Sequence, residues 1–83
     1  MIKNNFFVKL NEEGLQVVNR LRLKKYLTKE NYFQCKEIET SGQYFEMKIS
    51  FLNNPEKYFK ISLPHNYILL FVETPDLKEL GFE

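Results

Sequence analysis

The side chains best suited to chemistry in this sequence are one cysteine, Cys35, and one histidine, His65. They form the only nucleophile–base pair available beyond hydroxyls. A thiolate dyad needs the imidazole within hydrogen-bond reach of the thiol and a third group to orient the ring. The spacing supplies neither. Cys35 alternates with Phe33, as a small buried thiol in a strand would, and His65 follows Pro64 in a turn. The acidic pairs Glu12/Glu13, Glu37/Glu39 and Glu73/Asp76 have surface or helix-capping explanations. None has the apolar surroundings that raise a carboxylate's pKa for acid catalysis. Gly14, Gly42 and Gly81 are isolated, so no phosphate-cradling loop exists. A single cysteine excludes an internal disulfide, and a zinc site of four thiolates or of paired Cys and His. No catalytic residue, cofactor-binding residue or metal ligand is assigned, and a non-enzymatic protein is expected.

Three features carry surface chemistry instead. From Arg20 to Lys29 there are five basic residues, Arg20, Arg22, Lys24, Lys25 and Lys29, and no acid. Such a run can contact phosphates, with Tyr26 and Tyr32 near enough to stack on bases, or it can be a solvated helix end complementing the dipole. The second feature is a strand pair whose polar face carries Tyr44, Lys48, Tyr58 and Lys60. Tyrosines flanked by lysines suit protein interfaces, whereas Glu46 paired with Lys48 or Lys60 would make an ordinary solvated face. The third is the run Tyr67–Val72, apolar on both faces, with Leu77, Leu80 and Phe82 following it. That pattern predicts a central or doubly covered strand. Its second face is covered either by a short C-terminal helix or by another molecule, a second copy included.

The elements that would position these residues can be read from pattern. Residues 2–10 read as a strand centred on Phe6-Phe7-Val8. Asn11 is a good N-cap, Glu12 and Glu13 suit the positive end of a helix dipole, and Leu15, Val18 and Leu21 follow at spacings of three. A helix over residues 12–25 is predicted. Leu15, Val17, Leu21 and Leu23 also alternate, so the segment 15–23 fits a strand after a hairpin loop as well. The cap and the charge gradient favour the helix. The run Val8-Lys9-Leu10-Asn11-Glu12-Glu13-Gly14 resembles the strand-to-helix passage after the wing of MarR-type winged-helix regulators. No recognition helix precedes it, so the resemblance implies local structure alone.

Residues 32–40 read as a strand of imperfect alternation, with Phe33 and Cys35 on one face and Ile38 on the other. Ser41-Gly42 is a turn. Residues 43–51 and 57–63 alternate cleanly and are joined by the turn-rich loop Asn53-Asn54-Pro55-Glu56, which predicts a β-hairpin. Thr74-Pro75-Asp76 has the chemistry of a helix start, with Gly81 as its stop. The expected fold is α+β, ordered β-α-β-β-β-β-α. It has one antiparallel sheet of four to five strands, a main helix on one face and a short C-terminal helix.

Composition bounds the class. Eighty-three residues beginning at Met1 suffice for one domain, 1–83, with a narrow stability margin. Eight Phe and five Tyr supply large buried areas to a core with no disulfide to help. The longest apolar run is far too short to span a bilayer, and a lone thiol without a signal peptide fits a reducing cytoplasm. Ala and Trp are absent and Lys, Asn, Phe, Ile and Tyr abundant, as in AT-rich genomes, phages and mobile elements among them. Net charge is +1, with a basic segment at 20–29 and an acidic one at 73–83. The expected function is binding and inhibition of a protein partner, in the general style of small phage inhibitors of host defence such as anti-CRISPR proteins. A small nucleic-acid-binding or regulatory protein using residues 20–29 is the alternative.

Overall fold

The computed structural model describes residues 5–75. Strand β1 (Asn5–Leu10) runs into helix α1 (Glu12–Arg20) through Asn11, whose side-chain oxygen accepts the Gly14 N–H at 2.9 Å. Five strands follow: β2 (Tyr32–Cys35), β3 (Glu37–Glu39), β4 (Phe45–Phe51), β5 (Asn54–Leu63) and β6 (Ile68–Thr74). Single 3₁₀ turns sit at Lys24–Tyr26 and His65–Tyr67. The result is a small α+β fold of one helix and two three-stranded antiparallel sheets, ordered β2-β1-β6 and β3-β4-β5. No helix among the described residues is long and apolar enough to cross a membrane.

Two sheets replace the single sheet expected, and Lys36 is the reason. The run 32–39 bends there, and the Lys36 N–H donates to the Lys48 carbonyl at 2.8 Å, passing the chain from the first sheet to the second. The bend resets the side-chain alternation. Phe33 and Cys35 face the core before it, and Ile38 packs against the same core after it. The imperfect alternation of this segment thus records a corner. The shared core gathers Val8 and Leu10, Phe33 and Cys35, Phe45, Met47 and Ile49, Ile61 and Leu63, with Val18 from the helix. Burying each large apolar side chain contributes about 1.5–3 kcal/mol before chain entropy is offset. Phe7 and Tyr32 form a second small cluster on the other face of the first sheet.

Three boundaries differ from expectation. Helix α1 stops at Arg20, not near residue 25, because Leu21 caps it and Arg22 turns left-handed at φ 61°. The Leu23 N–H reaches the Val18 carbonyl and the Arg22 N–H reaches Asn19, a Schellman closure with arginine where glycine is usual. Strand β5 already begins at Asn54, opposite Phe51, so Leu52-Asn53 is the hairpin turn and the register shifts beside it. Pro55 is tolerated because β5 is an edge strand. Strand β6, expected to be central or doubly covered, pairs with β1 and lies at the edge of its sheet among the described residues. The predicted C-terminal helix, with Leu77, Leu80 and Phe82, lies outside the described residues.

The helix is held close by Gly14 and by the 3₁₀ turn beneath it. Asn11 donates its backbone N–H to the Tyr67 carbonyl and its side-chain amide to the Asn66 carbonyl. A β-carbon on Gly14 would sit 3.0 Å from the Leu10 Cβ and 3.2 Å from the Tyr67 Cβ. Both are fixed to hydrogen-bonded backbone, so neither can swing away. Gly14→Ala is therefore expected to destabilise by about 1–2 kcal/mol, despite alanine's better helix propensity. Thermal unfolding checks this; an unchanged or raised Tm would show that the helix can retreat.

Candidate functional site

Cys35 and His65 do not meet as a dyad. The thiol is buried in the core, its Sγ 3.8 Å from the Phe33 carbonyl, and burial pushes its pKa up to about 12. His65 is exposed, and its Nε2–H donates to the Gly42 carbonyl at 2.9 Å while the ring stands edge-on to Phe45. The imidazole thus ties the turn before β4 to the turn before β6. Among the acids, Glu39 accepts from both the N–H and the hydroxyl of Ser41, which holds its carboxyl below the usual range. Glu37 is 2.9 Å from Lys48. Glu12 and Glu13 occupy the first turn of α1. No group of three or more metal-ligating side chains occurs among the described residues.

The polar face of the second sheet has been neutralised from within. Glu37, Lys48 and Lys60 lie in one row across β3, β4 and β5, and Glu39, Glu46 and Ser62 in the next. Lys48 pairs with Glu37 along its row, and Lys60 reaches Glu46 diagonally at 3.5 Å. The hydrogen bond that Lys48 donates to the Glu37 carboxylate raises the Lys48 pKa, and the ammonium also lies 4.5 Å from the Tyr58 ring centre. Lys36 stands 5.9 Å from the same ring. Tyr58 is therefore an exposed ring attended by two cations. Tyr44 does not join it: Tyr58 faces Ser50, so six residues, about 20 Å of strand, separate the two tyrosines. An open concavity of about 480 Å³ lies on this face between Glu37, Glu39, Glu46 and the two lysines.

The basic segment keeps its charges and loses its stacking groups. Arg20, Arg22, Lys24, Lys25 and Lys29 are exposed, and among the described residues none has an ion-pair partner. Tyr26 packs against the core, its ring edge-on to Phe59 at 5.0 Å, and Tyr32 is buried.

Apolar surface is exposed at both ends of β4; the sequence singles out the β6 end, through the run Tyr67–Val72, but not the end at the hairpin tip. At one end Leu21, Phe51 and Leu52 are exposed, and Phe51 packs on Phe59 at 5.0 Å. At the other end Leu69, Leu70 and Phe71 of β6 are exposed, with the Phe71 ring 5.8 Å from the buried Phe45. The two ends are about 20 Å apart along the strand. Phe51 reads as core by alternation, but the register shift after Ser50 carries it outward at the hairpin tip. The available signal was Leu52, an apolar residue at a turn of asparagines. Comparison of this chain with protein-family models, curated proteins and solved structures gives no match.

Cys35 yields a pH prediction. The unfolded thiol ionises near 9.0 and the folded one near 12, so the folded state holds the proton more tightly between them. Its contribution to stability is complete below pH 9 and is lost as pH rises towards 12. Urea midpoints should fall across that window, with a shallower slope in Cys35→Ala. Ellman's reagent at pH 8 should react only on unfolding; rapid reaction of the folded protein contradicts the buried thiol.

Proposed function

We propose that this protein is a non-enzymatic binding protein that occludes or bridges a protein partner. One observation carries the reading: six large apolar side chains, Leu21, Phe51, Leu52, Leu69, Leu70 and Phe71, are exposed in two groups although the core is closed without them. Solvent-exposed apolar groups of this kind mark interfaces more often than ordinary surface. Among the described residues β6 is an edge strand whose residues 68–72 carry no charge, a template on which a second copy or another protein can align a strand. Encoding by a phage or mobile element, and inhibition of a host function or defence system in the manner of anti-CRISPR proteins, are the biological setting we infer from composition. The site residues we favour move from Tyr44, Lys48, Tyr58 and Lys60, whose two lysines are paired with Glu37 and Glu46, to the two apolar ends.

The test is affinity capture from cells of the native host with wild type, Leu52→Asp and Phe71→Asp, all shown to be folded by circular dichroism. The expected result is a protein retained by wild type and reduced at least about tenfold by one of the variants, as loss of a buried apolar anchor does. Light scattering reports in parallel whether a dimer forms and whether Phe71→Asp dissociates it. Identical retention by all three, or recovery only of nucleic acid lost steeply with salt, would overturn the protein-binding reading.

A further inference from the structure

The end of α1 and the tip of the β4–β5 hairpin enclose an open groove of about 350 Å³. Its floor is Leu21, Leu23, Tyr26, Phe51 and Phe59, and its polar rim is Arg22 and Lys25, with no acid. Lys25 is 5.8 Å from the Tyr26 ring centre, and both rim cations lack an ion-pair partner among the described residues. This is the reverse of the sheet face, where Lys48 and Lys60 are both paired.

Arg22 supplies an independent observation. It occupies the left-handed position of the Schellman closure, at φ 61°, which glycine adopts freely and an L side chain only at a cost. The hydrogen bonds that close the helix come from the backbone N–H groups of Arg22 and Leu23, so the guanidinium is not needed for the cap. An arginine placed where the fold favours glycine puts a charge on the groove's rim at a cost in stability. Strain kept at an exposed position of this kind points to use by a ligand.

We propose that this groove docks an acidic, amphipathic segment of the partner protein, its Leu or Phe side chains entering between Leu21 and Phe51 and its carboxylates meeting Arg22 and Lys25. The inference rests on the protein-binding reading and adds the site and the partner's chemistry. Apolar anchors give affinity, while the unneutralised rim selects acidic over basic segments and speeds encounter. A nucleic acid fits less well, because the Tyr26 and Phe59 rings face each other edge-on within the floor and leave no open stacking pair.

The experiment selects peptides from a displayed random library of about 12 residues on the full-length protein, a length that spans a groove of this kind. Single-stranded oligothymidine and light scattering of the protein alone serve as parallel arms. The expected outcome is enrichment of net-acidic peptides carrying at least two large apolar residues. Their binding should fall more than about tenfold in Phe51→Ser and in the double variant Arg22→Glu, Lys25→Glu, and less than about twofold in Phe71→Asp. Arg22→Gly separates function from folding: it should weaken the peptides about threefold or more while raising Tm by roughly 5 °C. Enriched peptides without acidic bias, or insensitive to the groove variants, overturn the inference and leave the protein-binding reading standing. Absence of enriched peptides together with oligothymidine binding overturns both. Self-association abolished by Phe51→Ser would assign the groove to a second copy and likewise overturn it.

Discussion

The run from Tyr32 to Glu39 is hydrogen-bonded into both sheets, and the fold depends on the corner it turns at Lys36. Before the corner Phe33 and Cys35 fill the core, and after it Ile38 takes over that role. A straight strand would have sent Glu37 inward, where a carboxylate has no partner and a large desolvation cost. Bending at Lys36 instead leaves Glu37 at the surface beside Lys48. It also brings β4 across β2, so that Phe45, Met47 and Ile49 close the same core as Val8 and Phe33. A chain of this length, without a disulfide, has little apolar area to spare for two separate cores.

The same economy explains why both ends of β4 are left uncovered. One helix of nine residues, docked through Gly14 and Asn11, covers the middle of the core and stops at the Arg22 turn. Beyond that turn the hairpin tip carries Phe51 and Leu52 past the helix end, into solvent. At the other end β6 closes the first sheet as an edge and holds Phe71 against Phe45 from outside. Charge follows a complementary division. The sheet face pairs its lysines with Glu37 and Glu46, while among the described residues the helix end leaves its cations unpaired beside apolar surface. The first arrangement is self-sufficient.

Much of the fold was legible, and for identifiable reasons. Asn11 with Glu12 and Glu13 announced the start of α1, and the alternation of residues 45–51 and 57–63 gave the hairpin and its inward face. The early end of α1 was not legible, because the closure uses Arg22, a residue type that does not advertise a left-handed turn. The corner at Lys36 appeared only as a fault in alternation, which a bulge or a register slip explains equally well. The run 67–72 reads as central or doubly covered, because apolar side chains on both faces suit either. Among the described residues β6 is an edge strand, which leaves the second alternative. The site suffered from the same ambiguity: Tyr44, Lys48, Tyr58 and Lys60 look like a binding face in sequence, and only the cross-strand pairing shows their charges to be satisfied. Leu21 and Phe51 looked like core.

The central claim is that the core is complete without the apolar residues at its two ends, which are therefore kept for contact with another molecule. Leu21, Leu52 and Leu69 are 58%, 61% and 60% exposed. The most direct measurement is the thermal unfolding of the triple variant Leu21→Ser, Leu52→Ser, Leu69→Ser. Surface substitutions usually cost under about 0.5 kcal/mol each, so the account predicts a cooperative transition with Tm lowered by less than roughly 8 °C. Loss of the cooperative transition, or a fall of more than about 20 °C, would show that these side chains hold the fold together and would contradict it.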